Sequence, residues 1–216
     1  MPALAPSPSK GPVASSTDPE RYDKAYFDKW YRSRRFRVKS PLDIRRQAAF
    51  ILATAEYMLE RPVRSVLDVG CGEGNWMPVL RRLNPRIAYH GVDASEYVVR
   101  RFGKRRNIRL GTLSTLGDLG LPNDFDLVLC CGVLNYVAPK ELREGLRQVH
   151  ALLNGMAYLE IFTNADDATG DFTKSEAREP GWYRRVIAKA KFTACGLHCY
   201  LPAELAGHAA ALERAR

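Results

Sequence analysis

The sequence has no apolar run long enough to cross a membrane: its longest, around Val128 to Val137, falls far short of the ~20 residues that a helical span needs. It has no disulfide pattern either. Five cysteines, Cys71, Cys130, Cys131, Cys195 and Cys199, are odd in number and share no repeated spacing. That argues against a secreted cross-linked scaffold and for reduced thiols in a cytoplasmic chain. The first residues, MPALAPSPSK, lack the basic start and apolar run of a secretory signal. The cluster Cys195-Gly-Leu-His198-Cys199 lacks a second half, and a tetrahedral metal site needs four ligands, so no metal is expected. Low apolar content and extreme charge are both absent. Hydrophobic residues make up 46% and charged residues 26%, which excludes wholesale disorder, collagen-like repeats and coiled coil.

What is present is enough for one ordinary domain. A chain of 216 residues buries roughly two-thirds of its unfolded surface without cross-links. Its charge is +9 and its pI about 9.5, which raises nucleic acid, an anionic membrane or an acidic substrate as partners. That charge is unevenly spread. Residues 1–20 hold five prolines among small residues and read as a disordered tail. Residues 21–46 hold ten Lys or Arg against three Asp, with Tyr22, Tyr26, Phe27, Trp30, Tyr31 and Phe36 between them. The spacing of Tyr22, Tyr26 and Trp30 predicts a short helix over 20–32. Ser40-Pro41 reads as a helix start, with apolar positions continuing to Glu60. Together, residues 21–61 are expected to form a helical lid and a first helix.

From 62 to 216 the pattern alternates. Strands are expected at Ser65–Val69, Tyr89–Asp93, Arg109–Thr112, Phe125–Cys131, Met156–Phe162 and within Thr193–Leu201. Helical segments separate them, and Pro202–Arg216 reads as a terminal helix. Alternation of this kind predicts an α/β fold: a doubly wound, Rossmann-like, mostly parallel sheet with helices on both faces, in three layers. Only one strand is read near the end, so the expected sheet lacks a final strand or takes it from another subunit.

The chemistry is carried by Asp68-Val-Gly70-Cys-Gly72-Glu-Gly74-Asn75. A strand ends in an acid, three glycines follow at alternate positions, and a helix begins. Glycine serves where the backbone takes positive φ or touches a ligand, and the helix start offers free N–H groups and a positive dipole end. A dinucleotide fingerprint, G-x-G-x-x-G, would need glycine where Asn75 stands. The observed spacing instead resembles motif I of the class I S-adenosylmethionine-dependent methyltransferases, D/E-x-G-x-G-x-G. Asp93, ending His90-Gly-Val-Asp, stands 25 residues after Asp68, and Phe125-Asp-Leu-Val is similar to the family's fourth strand. The resemblance runs over roughly Val63 to Thr163.

The resemblance implies S-adenosylmethionine as cofactor. It places Gly70, Gly72 and Gly74 along the methionine part of that molecule, with Asp68 orienting the loop or the amino group. Asp93 falls on the ribose, Thr112 and Leu113 beside the adenine, and Cys131 with Gly132 at the end of the fourth strand. For a general base near the carboxyl edge the candidates are Glu160, His198 and Tyr136. No N-P-P-Y or D-P-P-Y follows the fourth strand, which weakens methylation of exocyclic amines in DNA. The expected acceptor is a small molecule, acidic or aromatic, methylated on oxygen or nitrogen. The alternatives are an RNA or protein methyltransferase using the basic surface, and a non-catalytic cofactor-binding partner subunit. A monomer or homodimer with no membrane partner is expected.

Overall fold

The structure is a computed structural model describing residues 22–167, 171, 175–176 and 178–214; the tail read over residues 1–20 lies outside them. In chain order the elements are α1 (Lys24–Phe27), α2 (Pro41–Leu59), β1 (Ser65–Val69), α3 (Trp76–Leu83), β2 (Ala88–Asp93), α4 (Glu96–Arg106) and β3 (Ile108–Leu110). Then come β4 (Phe125–Cys131), α5 (Pro139–Leu152), β5 (Leu153–Glu160), α6 (Pro180–Lys189), β6 (Phe192–Ala194) and β7 (Cys199–Pro202). The strands form one seven-stranded sheet in the order β3-β2-β1-β4-β5-β7-β6. Neighbours among β1 to β5 run parallel, and β7 runs antiparallel to both β5 and β6.

Period-two alternation divides the core between two faces. Val66, Leu127, Leu129 and Met156 pack with Ala48, Ile51, Trp76 and Leu80 of α2 and α3. Leu67, Val69, Val128 and Cys130 pack with Leu142, Leu146, Tyr183 and Ile187 of α5 and α6. This is the expected three-layer α/β arrangement. α2 starts as its sequence dictates: the Ser40 hydroxyl accepts from Asp43 N–H while Asp43 accepts from Ser40 N–H, with Pro41 in the first turn. Among the described residues, no helix is long and apolar enough to cross a membrane.

Three expectations are corrected. The stretch read as one late strand is a hairpin, so the sheet completes its seven strands within this chain. Its turn places Gly196, Leu197 and His198 all at positive φ, a conformation unusual for Leu and His. The expected terminal helix is only a 3₁₀ segment over Ala203–His208; Gly207 lowers its helical propensity, while Ala209 is buried against the core. The helix expected over 20–32 is one α-helical turn continuing as a π-helical turn over Asp28–Arg32.

Asp126 fastens the two central strands at their amino ends. Its carboxylate accepts from Arg64 N–H at 2.6 Å, from Ser65 N–H at 3.0 Å and from the Arg61 guanidinium. The acid of the Phe125-Asp segment is therefore a structural clasp at the edge away from the glycine loop. Asp126→Ala leaves two partly buried N–H donors without their acceptor and is expected to lower stability by about 1–3 kcal/mol, read as a lower urea midpoint.

Candidate active site

The sheet order reverses direction between β1 and β4, and there the chain leaving each strand turns to opposite sides, opening a crevice. Gly70 and Gly132 follow these two strands, at φ +67° and +66°. The glycine loop after β1 is held from behind. Val92 carbonyl accepts from Gly70 N–H at 2.8 Å and Cys71 N–H at 3.2 Å. The Asp93 carboxylate accepts from Gly72 N–H at 2.7 Å and from Ser95 N–H at 2.9 Å. Arg106 donates to the Glu73 carbonyl and to Asn75 Oδ1, so a cation from the last turn of α4 braces this loop.

Two connected cavities open over that edge. A small one, about 140 Å³, is bordered by Gly72, Asp93, Thr112, Leu113, Val133 and Val137. A large one, about 980 Å³, extends over Asp68, Asn75, Trp76, Asn135, Glu160 and Phe162. Gly70, Cys131, Gly132, Tyr136, Tyr26 and Tyr31 border both.

The aromatic segment before α2 covers both cavities. Phe27 is buried with Cys71, Val98, Phe102 and Ile108 and stacks on Tyr97. The Ser95 hydroxyl donates to the Tyr22 carbonyl at 2.6 Å, and Arg32 pairs with Glu73 of the glycine loop. Tyr31 reaches furthest in: a methyl group added to Gly72 would stand 2.3 Å from its hydroxyl. Burial and the nearby Asp93 carboxylate push the Tyr31 phenol up, so it stays protonated at neutral pH.

Ionisation at this edge is set mostly by burial. Asp68 is buried and accepts from the Tyr89 hydroxyl at 2.6 Å. Burial pushes its carboxyl up to about 7, helped by Asp93 and opposed by that hydrogen bond and by Lys39. Burial also raises Asp93, against the two N–H donors that it accepts from. The thiols of Cys71, Cys130 and Cys131 are raised by burial as well, which keeps them protonated and poor nucleophiles near neutrality. Among the described residues, no three His, Cys, Asp or Glu side chains converge on a point that could hold a metal ion.

The candidate residues separate as follows. Gly70, Gly72, Asp93, Thr112, Leu113, Cys131 and Gly132 border the cavities, and so does Asp68. Gly74 turns away, toward Ile108 and Arg106, in the turn that starts α3. The Leu113 side chain seats in the notch at Gly145 of α5. Glu160 ends β5 on the wall of the large cavity. The ammonium of Lys39 donates to its two oxygens at 2.9 and 2.7 Å, and the Gln47 amide donates to one at 2.8 Å. Tyr136 borders both cavities and donates its hydroxyl proton to the Asp171 carbonyl. His198 lines neither cavity: it lies in the β6–β7 turn, its carbonyl accepting from Leu159 N–H at 2.9 Å and its ring against Tyr158. Sequence reasoning missed Lys39, Gln47 and Asn135, whose side chain bonds the backbone of Phe162 in both directions. The one available signal was Glu160 itself, an acid in an apolar strand that needs a partner.

Comparison with known proteins bears on this edge. The methyltransferase-domain family matches residues 67–158, from β1 into β5. Trans-aconitate 2-methyltransferase of Rhodopseudomonas palustris (strain BisB5) is 29% identical over 139 residues, 62% of this chain and 54% of that protein. The chain thus spans about half the length of that relative. Among solved structures, the magnesium protoporphyrin IX methyltransferase of Synechocystis PCC 6803 with bound S-adenosylmethionine superposes with a TM-score of 0.59 at 16% identity, covering 86% of this chain and 90% of that one. The 1,6-didemethyltoxoflavin-N1-methyltransferase of Burkholderia thailandensis gives a TM-score of 0.57 at 21% identity over 86% and 83%.

The raised Asp68 carboxyl predicts a pH effect on stability. Protons held in the folded state above the ordinary carboxylate range favour folding at low pH, and that contribution is lost as pH rises toward about 7. Asp68→Asn is expected to flatten the stability profile between roughly pH 4 and 7, measured by urea denaturation at a series of pH values.

Proposed function

We propose, from a chain that belongs to the class I S-adenosylmethionine-dependent methyltransferase family, that this protein transfers a methyl group from S-adenosylmethionine to oxygen or nitrogen of a small acidic or aromatic molecule. The observation that carries the reading is the pair of connected cavities at the sheet reversal, one with the chemistry for a nucleoside and one with room for an acceptor.

The residues present fit the cofactor. Gly72 leaves a cradle that a Cβ would fill, and Gly70 sits at positive φ against Val133. Each oxygen of Asp93 accepts one backbone N–H, and a carboxylate oxygen has a second lone pair for a ribose hydroxyl. Thr112, Leu113, Val133 and Val137 give the adjacent space an apolar lining for a base. At about 140 Å³ that space is below the roughly 300 Å³ of ordinary ligand pockets, and it adjoins the large cavity along Gly70, Cys131 and Gly132. When bound, the cofactor supplies a methyl carbon whose bond to sulfur breaks as the acceptor atom bonds to it, sulfur keeping the electron pair.

The chain's own part is alignment and proton handling. Asp93 would fix the ribose. Asp68 would face the positive end of the cofactor, which favours its ionised form and couples binding to proton release. Of the three base candidates the geometry favours Glu160, the carboxylate on the wall of the large cavity. Lys39 and Gln47 would fix the orientation of that carboxylate toward the cavity. Tyr136 already donates its proton to the Asp171 carbonyl, and His198 stands outside the cavities.

Calorimetric titration with S-adenosylmethionine is expected to show one site per chain; absence of heat at tens of micromolar protein would sink this reading. Asp93→Ala is expected to weaken binding by about 1–3 kcal/mol, whereas unchanged affinity removes its ribose role. Glu160→Gln should lower turnover and leave cofactor affinity in place. Tritium transfer from labelled cofactor into cell extract, with the product separated by size, distinguishes a small-molecule acceptor from RNA, from protein and from no transfer at all.

A further inference from the structure

The large cavity carries a charge arrangement that cofactor binding does not use. Arg37, Arg45 and Arg82 share its wall, and their side chains make no ion pair or hydrogen bond with any described residue. Lys39 on the same wall is spent on Glu160. The three guanidiniums come from separate stretches: the segment before α2, the second turn of α2, and the last turn of α3. Between them the wall is apolar and open: Val38, Leu42 and Leu83 are 47%, 51% and 43% exposed. Arg37 acts on the Asp43 carboxylate, which is engaged by Ser40 in the cap of α2.

The carboxylates on the same wall are Asp68, Glu160 and Asp171. Asp68 ends β1 beside the glycine loop. Asp171 lies next to Tyr136, whose hydroxyl bonds its carbonyl. Glu160 is neutralised by Lys39. Asn75 precedes α3 at the glycine loop and Arg82 lies in its last turn, seven residues and roughly 10 Å further along the axis; both line the cavity. Arginine forks with no partner beside apolar side chains match an anion that brings its own apolar surface.

We infer that the acceptor is an organic anion with an apolar body, its carboxylate or phosphate head held at the outer mouth by Arg37, Arg45 and Arg82. The atom that receives the methyl group then lies toward the glycine loop. The anionic group is the handle and not the nucleophile. This rests on the methyltransferase reading for the direction of the substrate, while the anion site itself can be tested separately.

The test uses the full chain with and without saturating S-adenosylhomocysteine. Decanoate, decyl phosphate and neutral decanol are titrated, below their aggregation concentrations, against the emission of Trp30 and Trp76, which line the cavity. Saturable binding of either anion, about tenfold or more tighter than decanol, is expected, and the stronger of the two identifies the head group. Arg45→Gln and Arg82→Gln should each weaken the anion by about five- to tenfold while decanol and S-adenosylhomocysteine bind as before. Arg81→Gln, outside the cavity, should change nothing. Decanol binding as tightly as the anions overturns the inference. So does equal weakening of all three probes by the arginine variants, or binding seen only with anionic phospholipid vesicles. Loss of S-adenosylhomocysteine binding with the anion preference intact would instead fault the cofactor reading alone.

Discussion

A single carboxylate sets the frame at the carboxyl edge of the sheet. The glycine loop has three residues at positive φ that carry no side chain, so its position depends largely on what its N–H groups find. Asp93 takes the Gly72 N–H on one oxygen and the Ser95 N–H on the other. It thereby ties the loop after β1 to the start of α4. The Val92 carbonyl, one residue earlier, takes the two preceding N–H groups. Everything that touches the loop inherits that placement: Glu73 as partner of Arg32, the backbone that Arg106 braces, and the space that the Tyr31 hydroxyl fills. Burying such an acid is unfavourable by itself, and the two N–H donors offset that cost.

A second carboxylate does for the acceptor side what Asp93 does for the loop. Glu160, at the end of β5, draws Lys39 and Gln47 onto the sheet edge, from positions 121 and 113 residues earlier in the chain. The basic, aromatic stretch before α2 is thus anchored at both ends, by Arg32 to the glycine loop and by Lys39 to the last parallel strand. Its aromatic residues just ahead of Arg32, Tyr26, Trp30 and Tyr31, roof the cavities. The positive charge concentrated there is divided: some cations are bound to carboxylates, others stand free along the cavity mouth.

How much of this was legible in sequence follows physical lines. β1 and β4 lie where the sequence places them because they are short, apolar and buried on both faces, with an acid or glycine ending each run. The capped start of α2 was legible because Ser40, Pro41 and Asp43 act within one turn. The β6–β7 hairpin was not, because its turn uses Leu197 and His198 at positive φ, where local rules expect glycine or asparagine. The terminal 3₁₀ segment was missed because tertiary burial of Ala209 outweighs a local helical tendency. At the site, Asp68, Asp93 and the glycines announced themselves by spacing. The partners of Glu160 could not, since an ion pair across more than a hundred residues leaves no local pattern. His198 illustrates the converse: its chemistry suggested a role that its place in a turn does not serve.

The closing hairpin also decides how the sheet meets its surroundings. With β7 inserted beside β5, the outermost strands are β3 and β6, each only three residues long. A strand that short offers few free N–H and C=O groups in register, too few to template pairing with another chain. The sheet is blunt at both margins and offers little for a ladder continued from another chain.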